Sequence, residues 1–367
     1  MYFVIFISAA VLSLVLTRIL LSIAIKLNIL DRPRLGRKVH KKPTPLLGGL
    51  AVFFAAFIVI GILYFINPEF VLGRHLFLKN ILGIFIGGAI IMLGGVLDDK
   101  YNLKPKFQII FPILAALVIV IAGLGIRQIS NPFDGMINLA RYEWILFWRD
   151  GIAYRFTLFA DLFTFVWMMG MMYTTKFLDG LDGLASGIGV IGSIIIFVLS
   201  LTREVNQPET ALLALIFAAA CFGFLFFNWH PAKIFLGEGG SLFIGFMLGS
   251  LAILSGSKIS TTLLIIGLPV LDVLWVIIRR IFIEKKSPFS GDKKHFHHRL
   301  LDAGFSHRGA VLLLYFITAS FGISALFLQT EQRIKAFAVL IIVMLVMAII
   351  VVTRTHLIKE GGVKIKK

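Results

Sequence analysis

Two carboxylate pairs and one histidine-rich stretch stand out in an otherwise apolar sequence. Asp98 and Asp99 are adjacent at the end of a hydrophobic run, GGVLDDKYNLKPK. Neighbouring carboxylates repel, so one of them has a raised pKa unless a cation is present. With Mg²⁺ they become metal ligands or a base that activates a phosphate. A helix C-terminus is the negative end of the dipole and a poor place for two solvated acids. Asp179 and Asp182 lie in KFLDGLDGLASG. Their i, i+3 spacing puts both on one face if the segment is helical, and the glycines let a backbone or ligand approach closely. In FNWHPAKIFLGEGGSLFIG (227–245), a Gly-Glu-Gly-Gly-Ser turn opens a helix. Such a turn offers free amides and a positive dipole end to phosphate, and Glu238 is placed to hold a metal. In SPFSGDKKHFHHRLLDAGFSHR (287–308), His295, His297, His298 and Arg299 follow Lys293 and Lys294. Imidazoles among basic residues suit a diphosphate. A zinc site there lacks supporting cysteines. Lys41 and Lys42 lie in a basic, Pro-rich loop (31–49) that topological charge explains equally well. Asp272 sits inside an apolar run after Pro269, as a structural acid or a functional one.

Membrane helices must position these groups. Of 367 residues, 59% are apolar and only 15% charged. Mean hydropathy is +0.95. These values exclude an ordinary soluble enzyme, a disordered chain and a fibrous repeat. The single cysteine, Cys221, rules out an internal disulfide framework. Eleven apolar runs approach the ~20 residues a spanning helix needs. They cover 2–25, 47–66, 78–97, 106–125, 157–175, 184–201, 210–228, 241–256, 261–279, 309–327 and 335–353. The expected fold is an all-α polytopic integral membrane protein, one domain over residues 1–367. Segment 126–156 is aromatic-rich and is expected to lie in the interface as a short amphipathic piece.

Orientation follows from the basic residues. The loops 26–46, 98–105, 176–183, 229–240 and 280–308, the tail 354–367 and residues bordering them hold 25 Lys and Arg, against 10 in the opposite loops. The first set is therefore expected in the cytoplasm, with the N-terminus outside and the C-terminus inside. The net charge of +17 is this topological signal, reinforced by anionic lipid, rather than a nucleic-acid surface. Seven of the eight histidines and the acids Asp98, Asp99, Asp179, Asp182 and Glu238 fall on that same side. A transporter would place such groups near the bilayer midplane. Gathered at one face, they suit chemistry between a cytoplasmic substrate and a lipid headgroup.

In this order, the five segments resemble the polyprenyl-phosphate N-acetylhexosamine-1-phosphate transferase superfamily. It includes phospho-N-acetylmuramoyl-pentapeptide transferase and the undecaprenyl-phosphate N-acetylglucosamine-1-phosphate transferases. The resemblance runs from Asp31 to about Arg308. It implies a helical bundle with a cytoplasmic cleft in the bacterial inner membrane. A UDP-sugar and polyprenyl phosphate would react there with Mg²⁺, or Mn²⁺, to give polyprenyl-diphosphate-sugar and UMP. By the same resemblance, Asp98 and Asp99 serve the lipid phosphate and catalysis. Gly180, Leu181 and Asp182 line a uracil pocket, with Phe235 stacking on the base. Asn228 matches the Asn of the FN…PA segment. Glu238 stands where the family has a metal-binding Asp, so the expected metal set is Glu238, Asp98, Asp99 and Asp179. His295, His297, His298 and Arg299 match a diphosphate-handling motif in the form of the N-acetylglucosamine branch. With them, Lys41 and Lys42 would neutralise the diphosphate. Family analogy also allows a homodimer.

Three positions depart from the family pattern. Glu238 replaces Asp, Lys176 replaces Asn three residues before Asp179, and Tyr173 replaces Asn six before it. The extra methylene of Glu238 moves its carboxylate by about 1 Å, against an Mg–O distance near 2.1 Å. Lys176 would pair with Asp179 or with a substrate phosphate. The alternative readings are the muramoyl-pentapeptide branch and a non-catalytic, lipid-phosphate-binding paralogue.

Overall fold

Apolar runs of this length become helices because lipid leaves backbone amides no other partner. The computed structural model describes residues 1–33, 42–73, 76–131, 135–149, 152–256, 259–285 and 295–360. The helices are α1 (Tyr2–Lys26), α2 (Gly48–Ile66), α3 (Leu78–Tyr101), α4 (Pro105–Gln108), α5 (Ile110–Ile121), α6 (Leu158–Leu178) and α7 (Leu184–Leu201). They continue with α8 (Pro208–Asn228), α9 (Gly237–Leu254), α10 (Ile259–Ile265), α11 (Gly267–Ile278), α12 (Phe296–Asp302), α13 (His307–Phe327) and α14 (Thr330–Glu360). Nine of the eleven expected apolar runs fall on one helix each, whereas 106–125 is divided between α4 and α5 and 261–279 between α10 and α11. By length and composition, seven are able to cross a bilayer: α1, α2, α3, α8, α9, α13 and the Glu331–Thr355 part of α14. There are eight if α10 and α11, bent by 78°, form one span. The chain is thus a polytopic, mainly helical membrane protein.

Helix α9 lies at the centre, against α2, α3, α6, α7, α8 and α10. Glycines let the backbones touch. A Cβ on Gly95 of α3 would stand 2.2 Å from Gly239 Cα, and one on Gly49 of α2 would stand 2.3 Å from Gly240 Cα. The amides of Gly48 and Gly49 donate to the carbonyls of Phe235 and Leu236, and Phe235 N donates to Pro45 O. These bonds tie the start of α2 to the turn that opens α9. A two-residue ladder of β1 (Leu30–Asp31) with β2 (Thr44–Pro45) closes the loop before α2.

The aromatic-rich segment 126–156 holds two antiparallel strand pairs. These are β3 (Gln128–Ser130) with β4 (Met136–Asn138), and β5 (Glu143–Arg149) with β6 (Ile152–Thr157). Cross-strand pairs such as Trp144–Phe156, stacked with centroids 5.9 Å apart, and the Arg155–Glu143 ion pair at 2.6 Å hold the longer hairpin.

Candidate active site

The last turn of α3 carries the first carboxylate pair. Asn102, left-handed at φ 53°, ends that helix. The chain then folds back, so that Leu103 N and Gln108 Nε2 donate to Asp98 Oδ1 at 2.8 and 2.9 Å. This fixes the Asp98 carboxylate and leaves Oδ2 for other partners. Asp99 turns the other way and its Oδ1 accepts from Glu238 N at 3.1 Å. The amide at the start of α9 is therefore not free for phosphate, as the Gly-rich turn had suggested. Asp99 already occupies the positive end of that helix. Gly237 has φ +76°, and a Cβ there would lie 2.3 Å from Asp99 Oδ2, so the turn admits the carboxylate only because it is glycine.

Glu238, in the first turn of α9, and Lys176, in the last turn of α6, form an ion pair at 2.7 Å. With Asp98, Gln108 and Tyr173 they line a narrow cleft between α3, α6 and α9. Carboxylates of this kind are the hard oxygen donors that Mg²⁺ takes, so the donor chemistry fits the expected ion, but no three of Asp98, Asp99, Asp179 and Glu238 bring oxygens within 4.8 Å of one another. Lys176 stands against Glu238 within that donor set.

Asp179 and Asp182 do not share a helical face. Asp179 caps α6, and Gly183, with φ +80°, starts α7, so residues 180–182 form a turn. Burial, together with the charges of Glu238 and then Asp182, pushes the Asp179 carboxyl up to about 7. Asp182 Oδ2 lies 2.6 Å from His230 Nδ1 and accepts from Ala232 N at 3.1 Å. The ring of His230 stacks on His307 at 3.9 Å, and Arg308 grips the His230 carbonyl from Nε and Nη2. Asp182, His230 and His307 bring ligand atoms within 4.8 Å of one another, as a hydrogen-bonded cluster.

Asn228 was expected to meet substrate. It is buried and engaged by the fold: Oδ1 accepts from Gly183 N and Ser186 Oγ, and Nδ2 donates to Ile234 O. It pins the Asp179–Gly183 turn to the strand-like approach to α9. Leu181 is likewise a core residue, 2% exposed. Tyr315 OH donates to the Gly183 carbonyl and locks the same turn. Phe235 and Arg299 are half-buried and Lys42 is exposed, while Lys41 lies outside the described residues.

The histidines sit on the short helix α12, capped by His295. Asp272 of α11 reaches across to accept from His295 Nδ1 at 3.0 Å and from Phe296 N at 2.9 Å. This resolves the role of Asp272: it positions the histidine helix. Phe177, on the last turn of α6, stacks on His295. His297 is buried against the Asp179–Gly183 turn. Desolvation, reinforced by neighbouring His298, His295 and His307, pushes it well below the usual histidine range and leaves it neutral. Its Nε2 has no hydrogen-bond partner among the described residues. Sequence reasoning missed His230, His307, Gln108 and the part played by Asp272. The HP of NWHPAK and the SHR of 306–308 were their signals.

Fold and cleft together define a polytopic, mainly helical membrane protein with a carboxylate-lined cleft at its helix ends. Residues 81–256 match the glycosyl transferase family 4. A probable undecaprenyl-phosphate N-acetylglucosaminyl 1-phosphate transferase of Bacillus subtilis is 37% identical over 345 residues, covering 92% of this chain and 87% of its own. A decaprenyl-phosphate N-acetylglucosaminephosphotransferase of Mycolicibacterium smegmatis is 32% identical over 358 residues, covering 90% and 84%. An undecaprenyl-phosphate alpha-N-acetylglucosaminyl 1-phosphate transferase of Thermotoga maritima is 28% identical over 290 residues, covering 79% and 78%. The chain belongs to glycosyl transferase family 4.

Proposed function

We propose that this protein transfers N-acetylglucosamine 1-phosphate from its UDP derivative to a polyprenyl phosphate, releasing UMP. The observation that carries the reading is one cleft: Asp98, Lys176 and Glu238 line it, Asp99 is bonded to Glu238 N behind it, and the Asp179 carboxyl feels the Glu238 charge. Eleven spans, an outside N-terminus and a cytoplasmic cleft in the bacterial inner membrane complete the proposal. A homodimer is part of it by family analogy.

An oxygen of the lipid phosphate attacks the β-phosphorus of the UDP-sugar in line, and the bond to the UMP oxygen breaks. Such a transfer needs positioning and charge neutralisation more than covalent help. A phosphate monoester is mostly ionised at neutral pH, with a second pKa of about 6, so Asp98 orients it more than it deprotonates it. Mg²⁺, or Mn²⁺, held by Asp98, Asp99, Asp179 and Glu238 would supply countercharge to the diphosphate. Arg299, His295 and His298 add positive or hydrogen-bonding groups, and neutral His297 offers its free Nε2 to a phosphate oxygen. Lys41 and Lys42 are assigned to the same diphosphate. Gly180 and Phe235 are assigned to the base, with Asp182 held by His230 at the pocket edge. Asn228 and Leu181 shape that pocket from behind.

The test is UMP release by purified protein in detergent with undecaprenyl phosphate, Mg²⁺ and UDP-N-acetylglucosamine. The muramoyl-pentapeptide nucleotide is run in parallel. Release with the first donor alone is the expected result, and release with the second alone overturns the assignment.

Two further outcomes are expected. A Cβ on Gly180 would lie 2.1 Å from His297 Nε2, so Gly180→Ala must displace that ring. A misplacement of this size lowers UMP release by about 10²-fold, with unfolding temperature little changed. Asp179 gives a pH signature. Its folded pKa, about 7, stands above the unfolded value near 4. Its contribution to stability is therefore fully present below about pH 4 and is lost as pH rises through about 7. Asp179→Asn mimics the protonated form, so without metal it should be more stable than wild type at pH 8 by on the order of 1–3 kcal/mol. The difference should disappear at low pH. Thermal unfolding in EDTA at both pH values reads this, and an equal gap at both would remove the titration from Asp179.

A further inference from the structure

Lys176 and Glu238, two of the three departures noted in the sequence, meet each other. Lys176 Nζ is 2.7 Å from Glu238 Oε2. Both helix ends favour the pair: the ammonium stands at the C-terminal turn of α6 and the carboxylate at the N-terminal turn of α9. Tyr173, the third departure, lies one turn back on α6 and presents its ring 5.9 Å from the ammonium. The lysine side chain is 19% exposed and the glutamate 37%. Lys176 is the only basic side chain lining the cleft among the described residues, and it shares that cleft with Asp98. It also bears electrostatically on Asp99.

A contact of 2.7 Å leaves no space between nitrogen and oxygen for an ion that must itself sit about 2.1 Å from the oxygen. A divalent ion on Glu238 Oε2 therefore has to displace the ammonium, and one on Oε1 has to bind beside it. The displaced charge stays on its tether beside the incoming ion and repels it.

We infer that Lys176 is the resident cation of this carboxylate cluster: it holds Glu238 in the free protein and weakens divalent-ion binding there by direct competition. The inference concerns the site named under the proposed function, but it is read by metal binding and does not need transfer to be measured. When substrate enters, the same ammonium is a fixed positive charge at the diphosphate.

The experiment is Mn²⁺ binding to the purified full-length protein in detergent, followed by loss of the free Mn²⁺ paramagnetic resonance signal. Lys176→Asn and Lys176→Met should each bind Mn²⁺ about 10–100-fold more tightly than wild type. Lys176→Met keeps the packing of the lysine stem should Asn not be tolerated. Lys176→Arg restores the charge and should bind as weakly as wild type. Adding Glu238→Gln to either neutral variant should erase the gain. Equal binding by wild type and the neutral variants overturns the inference, and so does a gain that survives Glu238→Gln. Tight stoichiometric binding by the wild type overturns it as well. UMP release measured on the same preparations separates the two readings. Silence there with the binding pattern intact sinks the proposed function and leaves the resident cation standing.

Discussion

Asp99→Asn is expected to leave a folded protein that releases UMP at least about 10³-fold more slowly than wild type. The asparagine carbonyl still accepts from Glu238 N, so the start of α9 keeps the bond that Asp99 Oδ1 now provides at 3.1 Å. What is lost is a charged ligand for the divalent cation that would neutralise the diphosphate, and electrostatic stabilisation of this kind is usually the largest single contribution to such transfers. Asp99→Ala removes both and should unfold at lower temperature as well. The comparison of the two variants separates chemistry from capping. Wild-type turnover in Asp99→Asn would take Asp99 out of the mechanism.

Gly95→Ala should be as damaging without touching a charge. The new methyl group would meet Gly239 Cα at 2.2 Å, backbone against backbone, with no side chain able to swing aside. Overpacking of this sort costs about 1–3 kcal/mol when neighbours yield, and more when they are main chain. Helices α3 and α9 must separate, and with them the Asp98–Asp99 pair and Glu238. A fall of several degrees in unfolding temperature together with loss of UMP release is the expected pair of observations. An unchanged unfolding temperature would mean that the two helices do not touch there. Gly61, where a methyl group meets nothing within 4 Å, serves as the control position.

Much of this was readable from residues alone, for a physical reason. Length and apolarity dictate helices in lipid, so the hydrophobic runs became helices, two of them broken in the middle, and the polar segments fell at helix ends. Other features depend on contacts between distant parts of the chain, which spacing does not reveal. His230 meets Asp182 across 48 residues, and Asp272 meets His295 across 23. The i, i+3 spacing of Asp179 and Asp182 suggested a shared face, but Gly180 and Gly183 made a turn and sent the two acids to different partners. Asn228 was matched to substrate by the family pattern, and its bonds to Gly183 N, Ser186 Oγ and Ile234 O, which spacing does not reveal, show that it also holds that turn. In segment 126–156 the aromatic content suggested a short amphipathic piece in the interface without giving its secondary structure, which cross-strand pairing makes into strands. The Lys176–Glu238 pair was hidden for the same reason: each departure was visible, but not that one answers the other.

The bond from Glu238 N to Asp99 also bears on how the protein is made. The two residues are 139 positions apart. At about 5–20 residues per second, Asp99 leaves the ribosome on the order of ten seconds before its partner exists. Throughout that interval Asp99, at the end of α3, has no helix start to receive it, while Asp98 is held nearby by Leu103 N and Gln108 Nε2. Membrane insertion must hold this end at the water boundary until α9 arrives, and the site closes only late in synthesis. A chain interrupted between the two helices would therefore present an unmatched Asp99, a feature by which quality control could distinguish unfinished protein from finished.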